Sequence, residues 1–479
     1  MTAKARITAI DRFIKGLKED NIYTDINACC VMAGWDSLAG ALTPLKGAAP
    51  TNSGLSAYDR GVGITGDGTN YLNTNRGSSD DGLNDFHVGV YASSFSTGTE
   101  NYLIGSLNNN ATYNAVRLAS NGRVYFYNRN GSSDFAPSVY SGCLASSRDS
   151  ASDMGVLFEG ATYQPSSASV GNVDNRDLYV LALNDRGTTV SVSDATASFY
   201  SIGSSLGSDP ATGLAALDAR VSTLMADLRA IEETGFDRDA LAYIRAVEAA
   251  DGAYLETDVK VAINNLVSGL KSDGLWESMA SSCLLCGPRT LAGALVPLRG
   301  DAPTAYGFVD GDYDREGLAG DGTSYLDSNR ANDAEPQDDN HNAIYLVAKE
   351  SGQDGFEMGA GLSAGRNMIN ASVSNVFTRC RDATEINTGL SSVGSGVIGM
   401  SRSDSSGYTV RALGGEYSAT APSDGVASEN VFVYCVNNAG SPAVISSSTL
   451  AFYSIGTSVD LAKLDTHISD YVTAIGAAL

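Results

Sequence analysis

The segment Leu38–Pro50, LAGALTPLKGAAP, returns as Leu291–Pro303, LAGALVPLRGDAP. An echo of this length inside one chain means duplication, and duplication fixes the plan: what the first half builds, the second builds again. Three further pairs keep the same order. GLKEDNIY (Gly16–Tyr23) and GLKSDGLW (Gly269–Trp276) precede the two copies. GDGTNYLNTNR (Gly66–Arg76) and GDGTSYLDSNR (Gly320–Arg330) follow them. The halves close on ASFYSIG (Ala197–Gly203) and LAFYSIG (Leu450–Gly456).

The text between the Gly-Asp-Gly block and the closing run reads as strands. FHVGVYAS, TYNAVRLA, GRVYFYNR and DLYVLALND in the first half are short runs with period-two alternation or an apolar centre. NAIYLVAKE, YTVRALGG and NVFVYCVNN do the same in the second. SNG, NRNG and NDRG punctuate them as hairpin turns. Gly-Asp-Gly itself reads as a tight turn, because Gly admits positive φ and Asp closes a local hydrogen bond. Short strands with no helices among them predict antiparallel β-sandwiches, one in each half.

Helices are expected around each sandwich. Ile7, Ile10, Phe13, Ile14 and Leu17 share one face of a helix over 5–20, matched by Ile263, Leu266, Val267 and Leu270 in the second half. Short second helices are expected over Ala28–Ala33 and Met279–Cys286. The signature segment would then be a tightly packed, non-helical crossing from helix to sheet; the only charge of its first copy is Lys46, matched by Arg299. After the sandwiches, Leu214, Leu217, Val221, Leu224, Leu228 and Ile231 step by three and four, as do Leu461, Leu464, Ile468, Tyr471 and Ile475. Phe236–Ala250 adds a helix between the copies. The expected division is a helical segment over 1–34, a sandwich over 35–207, a helical connector over 208–283, a second sandwich over 284–457 and a terminal helix over 458–479. The heptad-like stripes make Leu217, Leu224, Leu228, Leu464, Ile468 and Ile475 the candidate interface, either as a seam against helices of this chain or of neighbouring subunits, or as the face that each helix lays on its own sandwich.

Charge and cysteines exclude several classes. The net charge of −24 repels phosphate backbones and anionic membranes, so neither nucleic acid nor membrane is expected as a partner. The beginning, MTAKARITAIDRF, has no apolar core of a signal peptide. No run approaches the ~18 apolar residues of a membrane span. Seven Cys, an odd number with Cys29 and Cys30 adjacent, do not make a disulfide framework and read as small buried thiols.

Catalytic patterns are lacking. His87, His341 and His467 are the only histidines, and none has a second His or a Cys at metal-ligand spacing. There is no Walker loop or HExxH. Cys283 and Cys286 form a lone CxxC where a structural zinc needs four ligands. Asp310, Asp312 and Asp314 are the one calcium candidate, although Arg315 stands where an EF-hand needs Gly. Tyr125, Tyr127, Tyr163 and Tyr408 supply aromatic surface for a sugar. No catalytic residue and no cofactor other than calcium is expected.

The stretch Ser268–Asp333, with the closing FYSIG strand and the helix Leu461–Ala474, resembles a module of virion structural proteins of tailed phages, particularly marine phages that infect cyanobacteria. The resemblance covers the second half and, more loosely, the first. It implies jelly-roll, concanavalin A-like sandwiches, and a non-enzymatic protein made in host cytoplasm and displayed on the virion as capsid decoration or a tail or fibre component. It implies other virion proteins and sister subunits of a homo-oligomer as partners. The alternative is an adhesion protein that binds host surface glycans.

Overall fold

The computed structural model describes residues 3–108, 112–169, 173, 175–207, 209–349, 355–361, 365–372 and 374–479. The chain forms two units, Met1–Gly235 with Gly252–Thr257, and Phe236–Asp251 with Asp258–Leu479. Each is mainly β with flanking helices, an antiparallel sandwich of two sheets, as the strand pattern predicts.

In the first unit α1 (Ala3–Glu19) leads into the strand Ile26–Val31, then α2 (Leu38–Ala41), the sandwich, and α3 (Pro210–Glu232). Phe86, Val88 and Val90 of one sheet meet Ile104, Val116 and Phe126 of the other in the core. The second unit repeats the order. The helix α4 (Arg238–Asp251) precedes α5 (Thr257–Ser272), the strand Met279–Leu284, α6 (Leu291–Ala294), the sandwich and α7 (Leu461–Ala478). Ile344, Ile398 and Met400 face Ile369, Val376 and Val433. The Gly-Asp-Gly turns form as expected. Asp67 Oδ1 accepts from the amides of Thr69 (2.8 Å) and Asn70 (2.6 Å), and Asp321 Oδ1 from those of Thr323 and Ser324 (both 2.7 Å). Gly68 and Gly322 follow at φ 73° and 79°, which only Gly adopts without cost.

Three expectations are corrected. The short helices over Ala28–Ala33 and Met279–Cys286 are strands, each paired with the closing strand: Cys30 lies opposite Tyr200, and Cys283 opposite Tyr453. Both faces of Ile26–Val31 are buried. Ala28 and Cys30 face the sandwich core, and Ile26, Cys29 and Val31 face the helices. A strand covered on both sides loses its alternation and reads like a buried helix.

The signature is not wholly non-helical. It opens with the single turns α2 and α6, capped by Ser37 and Thr290, whose hydroxyls accept from Gly40 N and Gly293 N at 3.2 Å. Cys30 Sγ donates to Ala41 O (3.1 Å) and Cys283 Sγ to Ala294 O (3.0 Å), which ties each signature to the strand before it.

The five-part division also fails. The sandwiches begin at Ile26 and Met279 and not at 35 and 284, and the stretch 208–283 is no common connector. Helix α3 belongs to the first unit; α4 and, apart from Thr257, α5 belong to the second.

Candidate functional site

The expected interface residues lie inside the two units. Leu217, Leu224 and Leu228 are buried with Ala9, Phe13 and Leu17 of α1 and with Tyr91, Leu157 and Phe199 of the sheet. Phe13 meets Phe199 edge-on at 5.8 Å. Leu464, Ile468 and Ile475 are likewise buried, and Tyr471 OH of the same helix donates to Cys286 O at 2.8 Å. The stripe is therefore a seam within each unit, and not a surface for other subunits. A helix of this apolar content, beside a sheet with one uncovered apolar face, buries more surface by lying on that face than by waiting for a partner.

The calcium candidates are not gathered. Asp312 Oδ2 accepts from Val309 N (2.8 Å) and closes its own turn, while Asp314 Oδ1 accepts from Glu316 N (3.3 Å). Among the described residues no three His, Cys, Asp or Glu side chains group into a metal site. Also among them, no helix is long and apolar enough to cross a membrane.

The histidines are framework. His87 Nδ1 lies 2.5 Å from Ser204 O and His341 Nδ1 2.5 Å from Thr457 O, so each ring donates from Nδ1. Burial holds both down to about 4, neutral at ordinary pH. His467 pairs with Asp273 at 2.9 Å.

Four arginines have almost no exposed surface: Arg129, Arg148, Arg381 and Arg402. Arg148 donates to the carbonyls of Ser150, Asp153 and Ser167 at 2.7–3.1 Å, and Arg402 to those of Cys380, Asp404, Gly407 and Ala421 at 2.8–3.1 Å. Arg129 holds Asp81 O and Gly82 O (3.0 Å each), and Arg381 holds the carbonyls of Asn332, Glu335 and Pro336. Sequence reasoning missed these clamps, since an Arg in a strand of alternating pattern reads as solvent-facing.

One surface of the first unit collects chemistry. On the outer face of the sheet containing Asn101–Asn108, Thr112–Leu118 and Val124–Asn128, Tyr102 stands opposite Arg117, Arg117 opposite Tyr125, and Ala115 opposite Tyr127. The rings of Tyr113 and Tyr127 stack at 4.0 Å, and Tyr125 lies 6.2 Å from Tyr127. The Arg117 guanidinium sits 5.2 Å over Tyr125, donates to Tyr127 OH (3.2 Å), and pairs with Glu100 through a 2.8 Å contact. Tyr102 OH and Tyr113 OH hydrogen-bond to each other. Burial raises both of these phenols, so they stay protonated donors. The face thus offers hydroxyls, aromatic edges and one neutralised ion pair.

Of the tyrosines expected to serve a sugar, Tyr125 and Tyr127 are brought together here. Tyr163 is exposed and leans on Phe135 at 4.6 Å, and Tyr408 is buried with its hydroxyl on Thr378. The second unit has Asn370 opposite Phe377 and Met368 opposite Arg379 on its corresponding strands. Both units keep a stacked aromatic pair further along the sheet, Tyr71 on Tyr179 (4.3 Å) and Tyr306 on Tyr325 (4.7 Å).

No family model matches the chain, and no curated protein matches it. Among solved structures, NanB sialidase from Streptococcus pneumoniae (K499G mutant) aligns at 16% identity over 27% of this chain and 24% of that chain, with a TM-score of 0.23. The chain thus spans about a quarter of that enzyme. The Ruminococcus gnavus IT-sialidase CBM40 aligns at 13% identity over 31% of this chain and 95% of its own, TM-score 0.25. Domains LG4-5 of the mouse laminin alpha1 chain align at 11% over 79% and 84%, TM-score 0.22. No function is carried over from likenesses this distant.

Proposed function

We propose that this protein is a non-enzymatic structural component of a tailed-phage particle, made in the host cytoplasm and displayed on capsid, tail or fibre. The observation that supports this reading is how the duplicated polar side chains are used. His87 and His341, Arg129 and Arg381, Arg148 and Arg402 are all buried, and each is turned onto backbone of its own unit. A duplicated enzyme would repeat reactive groups at a cleft. This chain repeats the groups that fasten loops to sheets, which is what a displayed scaffold needs. The likeness of Ser268–Asp333 to phage virion proteins points the same way, and the charge of −24 suits a role apart from the packaged nucleic acid. Sister copies and other virion proteins are the partners in this reading. Quantitative mass spectrometry of density-banded particles tests it. Peptides of both units at a fixed ratio to the major capsid or tail protein are expected. Their absence from washed particles refutes it.

A second reading, glycan-binding adhesion, is favoured by the tyrosine face of the first unit. Binding on a glycan array that falls on Tyr127→Ala and survives a chelator would support it. Silence across neutral and acidic saccharides would end it.

A further inference from the structure

We infer that the uncovered face formed by α1 and α2 in the first unit is a docking site for an acidic-ended amphipathic helix of a partner protein.

In the second unit this face is occupied. Helix α4 lies against α6 and alongside α5. Glu248 meets Lys260 at 3.0 Å. Asp237, one residue ahead of the helix, takes Lys271 at 2.6 Å and donates its amide to Asn264 (2.7 Å), and Asp239 also takes Lys271, at 2.5 Å. Between these ends Tyr243, Ile244 and Val247 are buried. At its C-terminal end Asp251 accepts from Arg289 N, Thr290 N and the Thr290 hydroxyl at 2.7–2.9 Å. The approach is close: a Cβ on Gly293 of α6 would stand 2.1 Å from Asp251 Oδ1. Lys260, Asn264, Val267 and Lys271 thus form the covered stripe of α5, with Lys260 3% exposed and Val267 0%.

The GLK register places Ile7, Asp11, Ile14 and Lys18 of α1 at the same four positions. Ile7 is 66% exposed, Asp11 and Lys18 are exposed, and Ile14 is half-buried. The signature glycine is present too, but a Cβ on Gly40 would meet only Trp35 and Ser37 of its own loop, no nearer than 3.3 Å. The first unit therefore keeps an apolar residue, Ile14, at the position of Val267, together with the distal lysine and the glycine; it has Ile7 where Lys260 pairs with Glu248 and Asp11 where Asn264 stands, and among the described residues no helix lies on them. Ile7 and Ile14 flank Asp11, which is held by Lys15 at 2.6 Å, and Lys4 and Lys18 lie toward the two ends of the stripe. Two such stripes face to face in antiparallel order would bring lysine to lysine, which disfavours a second copy of α1 as the occupant. An occupant with the chemistry of α4, acidic at both ends and apolar between, meets the lysines with opposite charge.

The test uses the full chain and a fluorescent peptide with the sequence of residues 236–252 as probe. Saturable binding by anisotropy is expected. It should weaken about tenfold or more on Ile7→Glu, since an exposed apolar anchor is lost to a charge. It should weaken also on Lys18→Glu and when Asp237, Asp239 and Glu248 of the peptide are made amides. Val393→Glu, at an exposed position of the second unit, should change nothing. Absence of binding, or binding indifferent to Ile7→Glu and Lys18→Glu, overturns the inference. Sedimentation of the chain alone supplies the other arm. A homo-oligomer that Ile7→Glu dissociates would assign the face to a second copy and overturn the commitment to a partner protein.

Discussion

Lys349 Nζ lies 3.1 Å from Glu357 Oε1 inside the second sandwich, where the first holds Phe95 and Leu103. The correspondence is fixed by backbone: Tyr434 N donates to Glu357 O and Leu181 N to Leu103 O, both at 2.8 Å. Ser446 and Ser448 also reach Glu357 Oε1, at 3.3 and 3.1 Å. One fold position thus exists in an ionic and an apolar version within one chain. Removing one partner strands a buried charge, so Lys349→Met should cost about 3–5 kcal/mol. The combined change Lys349→Phe, Glu357→Leu, Ser448→Ala copies the first unit and should fall within about 1.5 kcal/mol of wild type. Chemical denaturation followed by hydrogen exchange in the strand Asn430–Val433 separates the two. A triple variant as unstable as the single one would contradict the equivalence.

The cysteines give a simpler test. All seven are free and buried, and burial pushes Cys29 and Cys286 up to about 12. The thiolate is the reactive form, so a native chain should show almost no reaction with an aromatic disulfide reagent at pH 8, and the denatured chain should show seven equivalents. Rapid native labelling of Cys283 or Cys286 would mean that the CxxC is accessible, against the full burial of both.

The histidines predict acid sensitivity with a definite sign. His87 and His341 are held near 4 in the fold against about 6.5 in an unfolded chain. Between those values the unfolded state binds more protons, so stability is complete above about pH 6.5 and falls as pH drops toward 4. The loss is on the order of 3 kcal/mol per histidine across that window. Imidazole NMR signals should keep a neutral, Nδ1-protonated form at pH 5. A midpoint near 6.5 in the native protein would refute the assignment.

Leu217 and Leu464 distinguish an internal seam from an assembly surface. Both have no exposed area. Leu→Ala at either should cost about 2–5 kcal/mol, and Leu→Asp should unfold the unit that carries it. Circular dichroism and limited proteolysis of each variant decide. A Leu217→Asp chain that stays fully folded and loses only self-association would restore the intermolecular seam.

The sequence displayed periodicity well and contact poorly. The duplication, the antiparallel strands and the amphipathic helices were legible because each rests on local repetition of three, four or two residues. What escaped depended on a neighbour far along the chain. Cys29, Cys30 and Val31 look helical because helices cover the strand's second face. The stripe of α3 leaves a seam and packing on its own sandwich both open, because its partners Phe13 and Phe199 are remote in sequence. Arg148 looks solvated because the loop it clamps, at Ser167, lies two strands onward. The tyrosine face was half visible: Tyr125 and Tyr127 alternate outward, but pairing alone brings Tyr102, Tyr113 and Arg117 beside them.

The glycine of LAGA should behave differently in its two copies. In α6, a Cβ at Gly293 would strike Asp251 Oδ1 at 2.1 Å, and that carboxylate is fixed by three hydrogen bonds to Arg289 and Thr290. In α2, the nearest atoms to a Cβ at Gly40 are Trp35 Cβ at 3.3 Å and Ser37 Oγ at 3.5 Å. Ala relieves about 0.5–1 kcal/mol of backbone entropy inside a helix, which offsets the tight contact in the first copy only. Gly40→Ala should therefore be within about 0.5 kcal/mol of wild type. Gly293→Ala should cost about 1–3 kcal/mol, because either α4 or the capped turn must shift. Hydrogen exchange localises the effect: faster exchange at Arg289, Thr290 and along α4 is expected for Gly293→Ala, and no change around Ser37 for Gly40→Ala. Equal destabilisation by both substitutions would show that the glycine serves the signature turn itself and not the approach of a second helix.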